Sequence, residues 1–367
     1  MNKVLHVVNS MGYGGIETLL MNIYRNIDKE KVQFDFVVNV NKECAYDDEI
    51  KKMGGKIYRI PRRGIHFLKY KKNWKNFLQQ HKNEYSTIHF HVSSLTDIEP
   101  LVEAKKIGIK NRFIHSHNTY QKGIIHNILN IINKFRISKY ATKLFACSTE
   151  AGKYCFANKE FEIIKNGIDA KKFAYSKEIR NEVRKKLEID DNTVAYVNVG
   201  RFSEQKNHTF LIDIFNEIRK IQENSKLYLI GDGNKKEEIE EKVKTLGIEE
   251  DVVFMGNQSD IYLILQGMDV FILPSLHEGL PVVGIEAQAS GLPIFTSNTV
   301  SPELEITNLV QFYPLSENSE IWADRILKCT KNFNRKNTSQ DIAKAGYDIN
   351  ITTTILEKYY TNSFLKI

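Results

Sequence analysis

Val270-Phe271-Ile272-Leu273-Pro274-Ser275-Leu276-His277-Glu278-Gly279-Leu280-Pro281-Val282-Val283-Gly284-Ile285-Glu286-Ala287-Gln288-Ala289-Ser290-Gly291-Leu292-Pro293 is the stretch that decides the fold. It opens on an unbroken apolar run, the signature of a strand buried on both faces in a parallel sheet. Proline is tolerated at the first helical position, where its missing N–H would have no partner anyway. Gly291 offers a left-handed cap, and Pro293 forbids continuation. The stretch therefore predicts strand, loop and helix in succession, with the helix over Pro281–Ser290. Glu278 falls in the loop before it and Glu286 in its second turn. A helix start exposes free N–H groups and a positive dipole end, which suit a phosphate.

The same alternation extends in both directions. Strands are expected at Lys3–Val8, Phe34–Val40, Lys56–Ile60, Thr87–His91, Arg112–Ile114 and Leu144–Cys147. A second set follows at Thr193–Val199, Lys226–Ile230, Val252–Met255, Val270–Leu273 and Ile294–Thr296. Two sets give an α/β chain of two Rossmann-like, doubly wound domains, assigned to residues 1–170 and 171–346 with a terminal segment 347–367. A turn at Asn166-Gly167-Ile168-Asp169 marks the first boundary, and ligands are expected in the gap facing the carboxyl ends of the two sheets.

Of 367 residues 42% are hydrophobic and 26% charged, an ordinary globular balance. No run approaches the ~18 apolar residues of a membrane span. Cys44, Cys147, Cys155 and Cys329 lie at no metal-ligand spacing, so a cytoplasmic protein is expected. Charge is uneven: residues 1–172 hold 30 Lys+Arg against 16 Asp+Glu, and the remainder 22 against 29. The first half alone suits an anionic partner. Its densest part, Lys51–Asn83, has eleven Lys/Arg and no acid. Without a recognition motif, and with an acidic second half, nucleic acid is not expected. Arg59–Lys82 could dock on an anionic membrane surface, making the protein peripheral on the inner face of the plasma membrane. Phe67, Tyr70, Trp74 and Phe77, at helical spacing there, are expected to pack inward.

Chemistry concentrates at strand ends. Gly200-Arg201 and Lys206 set two cations on a strand-to-helix loop, a planar fork and a point charge for a diphosphate. Glu286 lies on an otherwise apolar, small-residue helix, where an unpaired carboxylate is costly without a bound hydroxyl or cation. Gly12-Tyr13-Gly14-Gly15-Ile16-Glu17 permits close backbone approach without saying to what. His115 and His117 end the strand through Phe113-Ile114 and could donate to a sugar or phosphate.

Glu278-x7-Glu286, Gly200-Arg201 with Lys206, Gly14-Gly15-x-Glu17, Asn166-Gly-Ile-Asp169, Gly231-Asp-Gly233 and Phe254-x-Gly256-Asn257-Gln258 together resemble the retaining GT-B glycosyltransferases of family 4, in the branch that builds bacterial capsules and exopolysaccharides. The resemblance implies a last helix returning to the first domain, a nucleotide-sugar donor (UDP-linked), retention at the anomeric carbon, and no metal or cofactor. It implies a saccharide acceptor carried on polyprenyl diphosphate. On this sequence Arg201 and Lys206 would grip the diphosphate with backbone help from Gly14 or Gly15. Glu286 would hold the ribose, Glu278 with Gly279 and Leu280 the donor sugar, and Asn257 would meet the base. His115 would sit beside the transferred sugar, with His117 the alternative in that place. Whether Glu278 acts on the cationic transition state or only positions the sugar stays open. A UDP-sugar epimerase of the same architecture and a non-catalytic sugar-binding protein are the rival readings.

Overall fold

Val, Ile and Phe runs too apolar to face water on either side become the centres of two parallel sheets. The computed structural model describes residues 1–64, 66–118, 123–331 and 333–361. The chain divides into two units, residues 1–167 with 349–367, and residues 168–348.

In the first unit the strands are β1 (Asn2–Val8), β2 (Val32–Val38), β3 (Ile57–Arg59), β4 (Thr87–Val92), β5 (Asn111–Ser116), β6 (Lys143–Ala146) and β7 (Glu162–Ile163), in sheet order β3-β2-β1-β4-β5-β6-β7. Every pairing is parallel, and the register sets His6 beside His89 and His91 beside His115. One face packs Tyr24, Phe34, Phe36, Phe113 and Phe145, and the other packs Trp74, Leu78, Ile88 and Ile114. The helix Phe67–Gln80 buries Tyr70, Trp74 and Leu78, with Phe67 and Phe77 half-buried against the same core, as the aromatic spacing predicts.

The second unit contains β8 (Val194–Val199), β9 (Ser225–Ile230), β10 (Val252–Gly256), β11 (Val270–Leu273), β12 (Ile294–Ser297) and β13 (Val310–Tyr313), ordered β10-β9-β8-β11-β12-β13. Both sheets thus share one winding: three strands laid outward in one direction, a reversal, then the rest in the other. Phe202, Phe215, Phe295 and Trp322 fill one side and Phe271, Leu273, Ile285 and Ile294 the other.

Two of the four edge strands, β7 and β13, fall outside the strands expected from the sequence. Glu162-Ile163 is only two residues long, and Val310-Gln311-Phe312-Tyr313 is a run of four that Pro314 ends. The helix read as Pro281–Ser290 spans Val282–Ala289, with Pro281 capping it from outside. The helix Ile349–Tyr360 belongs to the first unit. Ile349, Leu356 and Tyr360 join its core, Lys31 pairs with Glu357 at 3.2 Å, and Thr352 Oγ1 donates to the Lys165 carbonyl at 3.0 Å. The final six residues of the expected terminal segment, 362–367, lie outside the described residues. Among the described residues no helix is long and apolar enough to cross a membrane.

Candidate functional site

Strand order reverses between β1 and β4 and again between β8 and β11. At such a reversal the loops leaving adjacent strands diverge and open room for a ligand. In the second unit β8 runs into Gly200–Asn207 and β11 into Pro274–Pro281, the two segments singled out by sequence. Three contacts staple them together. Gln205 Nε2 donates to the His277 carbonyl at 2.9 Å, Leu276 N–H to the Gln205 carbonyl at 2.8 Å, and Asn207 Nδ2 to the Pro274 carbonyl at 3.1 Å. Asn207 takes a left-handed conformation (φ 55, ψ 42), which asparagine tolerates better than most residues.

Across this staple Lys206 Nζ lies 2.7 Å from Glu278 Oε1, the two side chains only 15% and 13% exposed. Ser275 Oγ donates to the same oxygen at 3.2 Å. Gly200 makes room for the pair, because a Cβ there would stand 3.0 Å from Lys206 Cε. Gly231 (φ +137) is closed to other residues, since a Cβ on it would run into the Gly200 carbonyl. The loop after β9 is thereby pressed onto the loop after β8, with Gly200 N–H donating to Ile230 and Phe202 N–H to Asp232. Sequence reading assigned Lys206 and Glu278 to a ligand and missed that they meet each other; no local pattern links positions 72 apart.

Arg201, by contrast, is exposed and has no partner for its guanidinium among the described residues. The helix Val282–Ala289 begins four residues after Glu278, its first N–H groups unused by intrahelical bonds. The carboxyl group of half-buried Glu286 has no hydrogen-bonding or ionic partner among the described residues, and burial pushes it up to about 7. Gly279 and Leu280 lie in the same loop as Glu278. Asn257 is exposed after β10, two strands away from β8. His208, passed over by sequence reading, is buried with neither ring nitrogen bonded, and burial first, then Lys206, lowers it to about 4.

In the first unit Gly14 precedes the helix Gly15–Asn26. A Cβ on Gly14 would collide with the Glu17 carboxylate, which accepts a bond from Ser10 Oγ at 3.0 Å, whereas the space beside Gly15 is open. Five histidines share one face of the sheet. His6 Nδ1 and His91 Nε2 are 3.0 Å apart, His91 Nδ1 and His117 Nε2 2.9 Å apart, and His89 Nδ1 lies 2.7 Å from Tyr360 Oη. His115 is buried, its ring centroid 4.0 Å from that of His117 and tilted to it by 30°, with neither nitrogen bonded, whereas His117 is half-buried at the carboxyl end of β5. Nitrogens of His6, His89 and His91, and of His91, His115 and His117, also lie within 4.8 Å of one another.

The hydrogen-bonded chain fixes tautomers. His6 Nε2 is buried without a partner, and an orphaned N–H is the rarer and costlier state. His6 therefore carries its proton on Nδ1 and donates to His91 Nε2. Neutral His91 must then donate from Nδ1 to His117 Nε2, which leaves His117 an Nδ1–H donor at the strand end. Burial holds His6 and His117 down to about 3 and His91 well below its ordinary value, so the chain is uncharged near neutrality.

A family model described as glycosyl transferases group 1 matches residues 179–348. The chain is 34% identical to the protein named as glycosyltransferase EpsF in Bacillus subtilis (strain 168), over 94% of this chain and 93% of the other. It is 26% identical to the capsular polysaccharide biosynthesis glycosyltransferase CapH of Staphylococcus aureus, over the whole of both. It is 27% identical to the UDP-Gal:alpha-D-GlcNAc-diphosphoundecaprenol alpha-1,3-galactosyltransferase of Escherichia coli, over 59% of each. Among solved structures, Anabaena Alr3699/HepE in complex with UDP superposes with a TM-score of 0.78 at 17% identity, over 98% of this chain and 99% of that one.

Two measurements check this geometry. Because the Glu286 carboxyl is raised from 4.5 to about 7, its protonated form is the one folding favours. The stability it contributes is complete below pH 4.5 and lost as pH rises through 7. Glu286→Gln should therefore melt above the native chain at pH 8, by at most about 3 kcal/mol of stability, with the gap closing toward pH 4.5. For the histidines, long-range 15N imidazole spectra at pH 7 should show His6, His91 and His117 all as neutral Nδ1–H rings. An Nε2–H signal from any of the three breaks the chain.

Proposed function

We infer the reaction from the family: the chain belongs to the group 1 glycosyltransferases of GT-B fold, enzymes of polysaccharide biosynthesis. We propose that it acts as a retaining enzyme of family 4 and moves a hexosyl or N-acetylhexosaminyl group from a UDP-sugar to a saccharide carried on polyprenyl diphosphate, without a metal. The observation that carries this reading is the half-buried Lys206–Glu278 pair, beside an unpartnered Arg201 and a free helix start at one strand reversal. The donor reading draws support from UDP in the HepE complex, and the acceptor reading from the diphosphoundecaprenol substrate in the name of the Escherichia coli relative.

Charge grows on the β-phosphate as the glycosidic bond breaks, and cations fixed in advance stabilise it without reorganising. Arg201 would supply the bidentate fork. Lys206 would supply the point charge, held in place by Glu278 until the diphosphate arrives to share it. Glu278 is thus a positioning residue for Lys206 as well as a candidate contact to the donor sugar, with the N–H groups of Gly279 and Leu280 beside it. Glu286, as a carboxylate, would accept from the ribose hydroxyls, and Asn257 would meet the base. The roles expected for Gly14, Gly15 and His115 or His117 rest on the resemblance.

Arg201→Ala and Lys206→Ala should each lower turnover about a hundredfold or more in a transfer assay with UDP-sugar and saccharide acceptor. Near-native turnover in both variants removes the diphosphate grip. The same assay run without acceptor separates the rivals, since an epimerase converts the UDP-sugar unaided.

A further inference from the structure

The helix Ile124–Tyr140 is built inside out. Its buried residues are Asn130, Asn133 and Ile137. Asn130 Oδ1 accepts from Leu95 N–H at 2.9 Å and Asn133 Nδ2 donates to the Leu95 carbonyl at 2.7 Å, so two amides fasten the helix through one backbone residue. The outward side carries Ile124 (80% exposed), Ile125, Ile128, Ile131, Ile132 and Phe135 (81%). Spacings of three and four residues stack Ile124, Ile128, Ile131 and Phe135 into a stripe along a helix about 25 Å long. Soluble monomers seldom leave so continuous an apolar surface in water, and such surfaces mark a contact. The polar side is satisfied, so the helix does not need to turn over to satisfy its core.

Charge identifies the partner. From Ala104 to Thr149 there are nine Lys/Arg and no Asp or Glu. Among them Lys134, Arg136 and Lys139 lie on the helix itself. Lys134 and Lys159, with Ile131 and Phe135, also line a shallow pocket closed by Phe156. In a symmetric pairing of two copies through this face, the helix would set its own cations against those of its copy, and it has no acid of its own to answer them. A surface of anionic headgroups over hydrocarbon complements both features at once.

We propose that the apolar stripe of the Ile124–Tyr140 helix lies in the interface of an anionic bilayer, with the flanking lysines and arginines on the phosphates. This moves the lipid contact away from Arg59–Lys82, where Tyr70, Trp74 and Leu78 point into the core and, among the large apolar residues of that helix, Leu68 is the exposed exception. The inference is independent of the donor reading, because binding is measured with no sugar nucleotide present.

The test is flotation of the full chain with vesicles of phosphatidylglycerol and phosphatidylcholine (1:3) or of phosphatidylcholine alone. The native chain should float with the anionic vesicles, and raised salt should release much of it. Ile128→Ser with Phe135→Ser should lower partitioning tenfold or more without lowering the melting temperature, since both side chains are already in water. Lys69→Glu with Lys72→Glu should stay closer to native than that pair. No binding by the native chain at low salt overturns the proposal, as does undiminished binding by the serine pair. A dimer in analytical ultracentrifugation that the serine pair splits would assign the stripe to a second copy instead.

Discussion

An ammonium held 2.7 Å from a carboxylate ties the loop after β8 to the loop after β11, and the second unit is organised around that contact. A half-buried ion pair is poor evidence for stability, because removing two charges from water costs about what their attraction returns. Its worth lies in what it orders. Gly200 yields space for the lysine stem, Gly231 lets the next loop press against Gly200, and the Gln205 and Asn207 amides hold the loops at fixed spacing. Remove the lysine and a carboxylate is left beside a helix start with only Ser275 to answer it.

The first unit solves a similar problem without charge. Burial disfavours the charged form of its five sheet-face histidines, and the ring nitrogens that find partners are answered in series. The rings hand one hydrogen bond along from His6 to His91 to His117, while His89 turns to Tyr360. His115, closed in among its neighbours, has none. The histidine with an outlet at the end of β5 is thus His117.

Much of this was legible in the sequence because it is local. Unbroken apolar runs mark strands buried on both faces, and Pro281 and Gly291 bracket a helix within one residue of its observed ends. What the sequence hides is of three kinds. β7 and β13 pair at sheet edges, where four residues or fewer suffice and no periodicity accumulates. Lys206 meets Glu278, and His6 meets His91, across separations that only the winding of the sheet determines. The third is the Ile124–Tyr140 helix. Reading the apolar side of a periodic helix as its inner side is a sound rule, and it fails here, where two buried asparagines grip the Leu95 backbone and the isoleucines face outward.

The return of Ile349–Tyr360 to the first unit sets an order of assembly. Residues 168–348 form one uninterrupted stretch and can pack as soon as they leave the ribosome. The earlier-made unit cannot finish until Tyr360, which closes over His89 and Phe34, has followed the whole of residues 168–348 in synthesis. Vectorial synthesis ordinarily completes domains from the amino end; here the amino-terminal half must wait, partly open, for a helix made after the second unit.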